Sequence, residues 1–464
     1  MEVLDKYFKA NRYFISKHHL DSFNDFVTSK LANIIRVLNP ITTLKNQENG
    51  AITHEIEVFV GTESGDKIYL RPPMTPDNTK PLLPNEARLK DLTYASDLYA
   101  DILVRYTTTH HQGNKTKVEE DIFQGVRIGS IPVMLQSKLC YLHNKTPAQL
   151  KEVGECIKDS FGYFIISGKE KVVVAQERIA TNRIFINSTK DDKYSHMGMI
   201  RSTSEENPLF PKTVHLYVHR DEIKKKPEHA RKSIVVSLPG IEKPIPLFTM
   251  FRALGIQSDK DILNHILYDV QDPNNRLLRD FLYFSVIDSK HITTQTDALE
   301  FLSTRVTGAN LQDPDARLTK LHSLLLNDVF PNMGFDYSAK ALFLGHVVNK
   351  LVKVAVGAEK ESDRDHYLYK RVDISGFLFG NLFRDYYNQF RNTLRNRVDK
   401  EYLFGPWKTS ADVRNLINKA NMNYIFDPFI IQNGLVKSLK GAWGKSMVAE
   451  AQDPDSIKEG IVQD

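Results

Sequence analysis

The alternation of apolar and polar positions along the chain switches between two periods, one helical and one of strands. From Phe23 to Leu38, apolar Phe23, Phe26, Val27, Leu31, Ile35 and Leu38 recur at helical spacing, with Asp21 or Ser22 placed to cap the helix and Asn39-Pro40 to end it. Ile52, Ile56, Val58 and Val60 then follow a two-residue rhythm, and Lys67 to Leu70 comes after the turn-rich Gly61–Asp66, the pattern of a first hairpin. Five prolines between Arg71 and Pro84 predict an extended crossing. Tyr94, Leu98, Ile102, Val104 and Tyr106 mark a strand, and Thr109–Lys117 reads as a loop. Val126 to Leu135 has the β-branched content of a buried strand, and Thr146 with Pro147 opens a short helix in "TPAQLKEVG".

Two apolar runs, Tyr163 to Ile166 and Val172 to Ala175, flank Ser167-Gly168-Lys169-Glu170, which predicts a hairpin with a longer loop. These elements make an α+β domain of about 190 residues, within the usual size range. From Asp191 the texture turns to polar loops, then strands at Thr213–Val218 and Ser233–Leu238. Helices follow near Phe248–Leu254, Lys260–Tyr268, Asn275–Tyr283 and Asp297–Val306. This reads as a second α+β domain inserted into the first. Leu318–Val329 and Lys340–Val356 are amphipathic helices. Gly376–Lys400 shows an apolar face of Leu378, Leu382, Phe383, Tyr386, Phe390, Leu394 and Val398, opposite Arg384, Arg391, Arg395 and Arg397. After Ser446 the chain turns acidic, with Glu450, Asp453, Asp455, Glu459 and Asp464 against Lys458 alone, which reads as a flexible tail or the start of a further domain.

At 464 residues the chain exceeds what a single core usually organises, about 250–300 residues. Its net charge of +5 is too small to mark a nucleic-acid binder, so only local clusters of cations count. Two cysteines, Cys140 and Cys156, without CxxC spacing argue against a zinc site and for a reducing compartment. No run of about 18 apolar residues exists to cross a membrane.

Two clusters point to phosphate binding. One is Lys169, Lys171, Gln176, Arg178 and Arg183 around the central hairpin. The other is Lys437, Lys440 and Lys445, spaced through "GLVKSLKGAWGKS" with Gly441 and Gly444 and with no acid among them. Cations so placed can neutralise phosphates without reading bases, and Trp443 could stack or pack. "HRDEIKKKPEHARK" at His219–Lys232 interleaves acids with its cations and reads as a solvated surface. Glu361, Asp363, Asp365 and His366 in "ESDRDH" could hold a divalent metal. Arg364, Lys370 and Arg371 beside them instead favour a structural ion network of Asp363, Arg364, Asp365 and Arg371.

Six segments in chain order carry a family likeness: "HLDSFNDFV" at His19–Val27, "LLPNEARLKDLTYASDLYADI" at Leu82–Ile102, "VRIGSIPVMLQSKLC" at Val126–Cys140, "GYFIISGKEKVVVAQER" at Gly162–Arg178, "ESDRDHYLYKRVDISGFLFGNLFRDYY" at Glu361–Tyr387, and "GLVKSLKGAWGKS" at Gly434–Ser446. Together they resemble the N-terminal portion of the second-largest, β-type subunit of multisubunit DNA-directed RNA polymerases of the eukaryotic, archaeal and large-DNA-virus kind. The likeness is weakest between about Asp191 and Lys360.

The resemblance implies a mixed-sheet protrusion domain formed by residues 1–190 and 361–446, an inserted α+β lobe at 191–360, and an acidic tail or the start of the fork region at 447–464. It implies no catalytic residue and no cofactor in this chain, the Mg2+ of nucleotidyl transfer being held by the largest subunit. The implied partners are that largest subunit, the remaining C-terminal part of the second-largest subunit, small assembly subunits, DNA template, RNA–DNA hybrid and initiation factors, with no membrane. The implied location is intracellular: the nucleus, or the cytoplasm or virion if the subunit is viral. A free-standing interaction module, or a metal-dependent nucleic-acid enzyme built on Asp363 and Asp365, are the readings from other classes.

Overall fold

The computed structural model describes residues 2–10, 13–46, 52–110, 115–204, 211–220, 233–307, 314–405, 407, 412–443 and 461–463. The chain forms two compact units, Met1–Glu177 with Val372–Asp464, and Arg178–Arg371. The fold class is α+β, as the sequence reads, and both five-stranded sheets are antiparallel throughout.

The first unit opens with helices α1 (Glu2–Ala10), α2 (Lys17–Asp25) and α3 (Leu31–Leu38). The helix expected from Asp21 starts earlier, with Ser16 at its N-cap, and α2 runs into α3 through one wide turn at Phe26–Lys30. Phe26 and Leu31 are both buried although five residues apart, a step that an ordinary α-turn would carry off the core side; the wide π-turn restores the phase.

Strands β1 (Ile41–Asn46), β2 (Ile52–Val60) and β3 (Ile68–Arg71), helix α4 (Pro84–Leu89), then β4 (Ala95–His110) and β5 (Lys115–Pro132) follow. The hairpin expected between Ile52 and Leu70 does not form. β2 pairs with β4 from Ile102 to His110 and β3 pairs with β4 from Asp97 to Ala100, so the two lie end to end along one edge of β4. The cause is the loop between them. Gly61 N donates to Asp101 O (2.8 Å) and Asp101 N donates to Lys67 O (3.0 Å), so Gly61–Lys67 makes a detour opposite one residue of β4 instead of reversing direction. Of the loop expected at Thr109–Lys117, Thr109 and His110 belong to β4 and Lys115–Lys117 to β5, paired as far as His110↔Lys115; residues 111–114 lie outside the described residues. Helix α5 (Pro147–Glu152) has the expected Thr146 cap, closed as a capping box with Gln149.

β6 (Phe164–Ile166) and β7 (Lys169–Val173) form the central hairpin, and β8 (Gln176–Ile179) leads out of the first unit. In the second unit β9 (Ile184–Ser188), β10 (Tyr194–Ser202), β11 (Lys212–His219), β12 (Ile234–Ser237) and β13 (Ile245–Pro246) make a meander in sequence order. Val214, Leu216 and Val218 of β11 share a core with α6 (Leu247–Ala253), α7 (Asp259–Leu267), α8 (Arg276–Asp288), α9 (Gln295–Ser303), α10 (Pro314–Asn327) and α11 (Tyr337–Ala355).

β14 (Lys370–Asp373), paired with β8, brings the chain back, and α12 (Ser375–Phe404) completes the first unit. Phe379 stacks on Phe164 (centroids 5.5 Å, 17°) and packs against Phe23 and Phe26, so the start of α12 closes the core that holds the hairpin and α2. Residues 221–232, and most of the acidic stretch after Ser446, lie outside the described residues.

Candidate nucleic-acid interface

The central hairpin turns in two residues, not four. Ile166 pairs with Lys169, and Ser167 (φ 50°) with Gly168 (φ 76°) occupies the left-handed region, the geometry that matches the twist of paired strands. Lys169 and Glu170, expected in the loop, are therefore the first residues of β7. The turn is held from outside: Gly168 N donates to Leu92 O (3.0 Å) and Ser167 N to Thr93 Oγ1 (3.1 Å). A Cβ on Gly168 would lie 2.5 Å from Asp91 Oδ1 and 2.9 Å from Asp91 Cα.

Arg88 of α4 engages the acid that lies between the two lysines. Its Nε donates to Glu170 Oε1 (2.7 Å), its Nη1 to Glu155 Oε1 (2.9 Å) and its Nη2 to the Tyr163 hydroxyl (2.9 Å). Burial, and then the hydrogen bond to Asp159 (2.6 Å), pushes the Tyr163 phenol above its ordinary range. No residue spacing in the sequence announces this knot, since Arg88, Glu155 and Glu170 are far apart along the chain. With Glu170 taken, Lys169 is exposed and makes no ion pair among the described residues, on a turn whose backbone is fixed.

The structure divides the first cluster. Lys169, Lys171 and Gln176 belong to the first unit, Arg178 and Arg183 to the second. Lys171 is half-buried across from Phe164, Gln176 Nε2 donates to Val174 O (3.1 Å), and Arg178 Nη1 donates to Ile179 O (3.4 Å). The Arg183 guanidinium lies 5.3 Å over the Tyr369 ring. One neighbour was missed from sequence: Val462–Gln463 forms β15 and pairs with Val173 and Val172, extending the hairpin to three strands. Its only signal is apolar Ile461-Val462 inside an acidic stretch.

Lys437 lies in the last turn of the helix Phe429–Leu439 and Lys440 at its C-cap, where a cation complements the carbonyl end of the helix dipole. That helix sits hard against α12. A Cβ on Gly434 would fall 2.3 Å from Tyr386 Cδ1, and the Tyr386 hydroxyl meets Ser438 Oγ at 2.9 Å. Trp443 is buried, so it packs; Lys445 lies outside the described residues.

In the second unit Asp365 pairs with Lys370 (3.5 Å), and Arg371 donates to the carbonyls of Leu368 and Lys370 (3.3 and 2.8 Å). Asp363 Oδ1 accepts from Asp365 N (2.9 Å), and Arg364 makes no ion pair among the described residues; it lies near His215, whose pKa burial, and then Arg364, holds below the ordinary value. Among the described residues no group of three or more His, Cys, Asp or Glu is placed to hold a metal ion, and no helix is long and apolar enough to cross a membrane.

A family model described as RNA polymerase beta subunit matches residues 15–420. The chain belongs to this RNA polymerase β-subunit family. Within it, the chain is 32% identical over 87% of its length to the DNA-directed RNA polymerase subunit Rpo2N of Methanocaldococcus jannaschii, covering 74% of that protein. It is 31% identical over 96% of its length to DNA-directed RNA polymerase II subunit 2 of Arabidopsis thaliana, and 34% identical over 79% to the subunit RPB2 of Encephalitozoon cuniculi. The chain spans only 37% and 31% of those two relatives. As a β-subunit family member it corresponds to the N-terminal part of the second-largest polymerase subunit.

Proposed function

We propose that the chain serves as the protrusion and lobe of a second-largest polymerase subunit, lining one side of the DNA cleft and holding DNA and RNA–DNA hybrid by phosphate contacts while initiation factors dock on the same domains. Its partners are the largest subunit, the remainder of the second-largest subunit and small assembly subunits, and it acts in a nucleotidyltransferase whose Mg2+ is held elsewhere, by the largest subunit. The observation that carries this reading is the exposed Lys169 on a backbone clamped at Gly168, with Glu170 withdrawn to Arg88. A cation without an acid beside it keeps its full attraction for phosphate, and a polymerase that moves over any template needs contacts blind to base sequence.

Reversing the charges of Lys169, Lys171, Lys437 and Lys440 together tests it. Affinity of the assembled enzyme for DNA and hybrid is expected to fall by about tenfold or more at low salt, with a shallower salt dependence, while the variant still copurifies with its partner subunits. Unchanged affinity with intact assembly would reduce the chain to an interaction module.

A further inference from the structure

The second unit contains a cavity of about 510 Å3 lined by the edge strand β9 with Asn182 and Arg183 before it, by α11 from Phe343 to Val354, and by residues of the segment Glu359–Tyr369. That volume suits a small ligand. Two kinds of charge line it without neutralising each other. Arg183, Lys350 and Lys360 make no ion pair with a carboxylate among the described residues, and Glu361 and Asp363 make none with a cation. The guanidinium of Arg183 is stacked on Tyr369, which leaves its in-plane N–H groups available for a bidentate oxyanion. Glu361 and Asp363 are positioned by backbone: Ser362 N donates to Ile186 O (2.8 Å), Ile186 N donates to Ser362 Oγ (3.1 Å), and Asp363 Oδ1 takes Asp365 N (2.9 Å).

Cations, carboxylates and the rings of Phe343 and Tyr369 in one lining define a ligand with three parts. It has an oxyanion for Arg183 and Lys350, vicinal hydroxyls to donate to the two carboxylates, and a flat or apolar body for the rings. We propose that this cavity binds a ribose 5-phosphate group, carried either by a free nucleoside monophosphate or by the 5′-phosphorylated end of RNA. Inorganic phosphate fills only the cationic part, and deoxyribose lacks one of the two hydroxyls.

The test is isothermal titration of the full chain with adenosine monophosphate, its 2′-deoxy analogue, inorganic phosphate and 5′-phosphorylated diadenylate. Adenosine monophosphate is expected to bind saturably, about tenfold more tightly than the deoxy analogue and than phosphate. Lys350→Gln and Lys360→Gln, checked for an unchanged thermal transition, should each weaken binding. Glu361→Gln with Asp363→Asn should abolish the preference for ribose while leaving phosphate affinity in place. Diadenylate binding as tightly as the monophosphate assigns the site to RNA ends, and exclusion of diadenylate assigns it to free nucleotide. Absence of saturable monophosphate binding, equal affinity for inorganic phosphate, or affinity untouched in both lysine variants overturns the proposal.

Discussion

Lys340 is a fully buried lysine near the start of α11, and it is fully employed. Its Nζ donates to Leu325 O (2.8 Å) and to Leu326 O, carbonyls at the C-terminal end of α10 that have no partner inside their own helix. Burial pulls its pKa down to about 8, against a weaker upward pull from Asp328. The unfolded chain holds that proton up to the ordinary value near 10.4. Between the two values the unfolded state binds more protons than the folded one, so the stabilising contribution is complete above the unfolded pKa and is lost as pH falls through about 8. Unfolding free energy, followed by urea titration from pH 7 to 10.5, is expected to rise with pH by about 3 kcal/mol more in the native chain than in Lys340→Met. Nothing in the sequence separates this lysine from the solvated ones. "YSAKALFLG" reads as an ordinary amphipathic start, and only the ends of α10 and α11 brought together give Lys340 its carbonyls. By contrast, the lack of acids within "GLVKSLKGAWGKS" is legible at once, and the helix end on which Lys437 and Lys440 sit is not.

Local elements were legible where a single residue type is demanded. Thr146-Pro147 announces α5, and the apolar face of the long helix announces α12. Pairing was less legible, because it depends on bonds to distant residues. The detour at Gly61–Lys67 follows from Asp101, and the two-residue turn at Ser167-Gly168 from the register Ile166↔Lys169. The hairpin supplies a direct check. At Gly168 both the positive φ and the nearness of Asp91 forbid a side chain, so Gly168→Ala should destabilise the first unit by about 1–3 kcal/mol, read as a lower denaturation midpoint. Gly125, also at positive φ but with open space around its Cβ position, is the control for backbone strain alone.

At the scale of the whole molecule, the apolar core of the second unit is drawn entirely from residues between Ile184 and Val356. A fragment of residues 178–371 is therefore expected to melt cooperatively by circular dichroism; a broad, non-cooperative transition would show that it depends on the rest of the chain. The place where one core hands over to the other is hard to read from residues, since a continuous strand, Gln176–Ile179, runs through it without a turn signal. The first unit has the opposite dependence, because Phe23, Phe26 and Phe164 wait for Phe379. On a ribosome adding about 5–20 residues per second, synthesis of residues 178–371 takes roughly 10–40 s. During that interval the amino-terminal aromatic surface has emerged without the helix that covers it, while the later unit can finish folding. The order of completion thus reverses the order of synthesis, and the apolar surface around Phe23, Phe26 and Phe164 stays uncovered until Phe379 arrives.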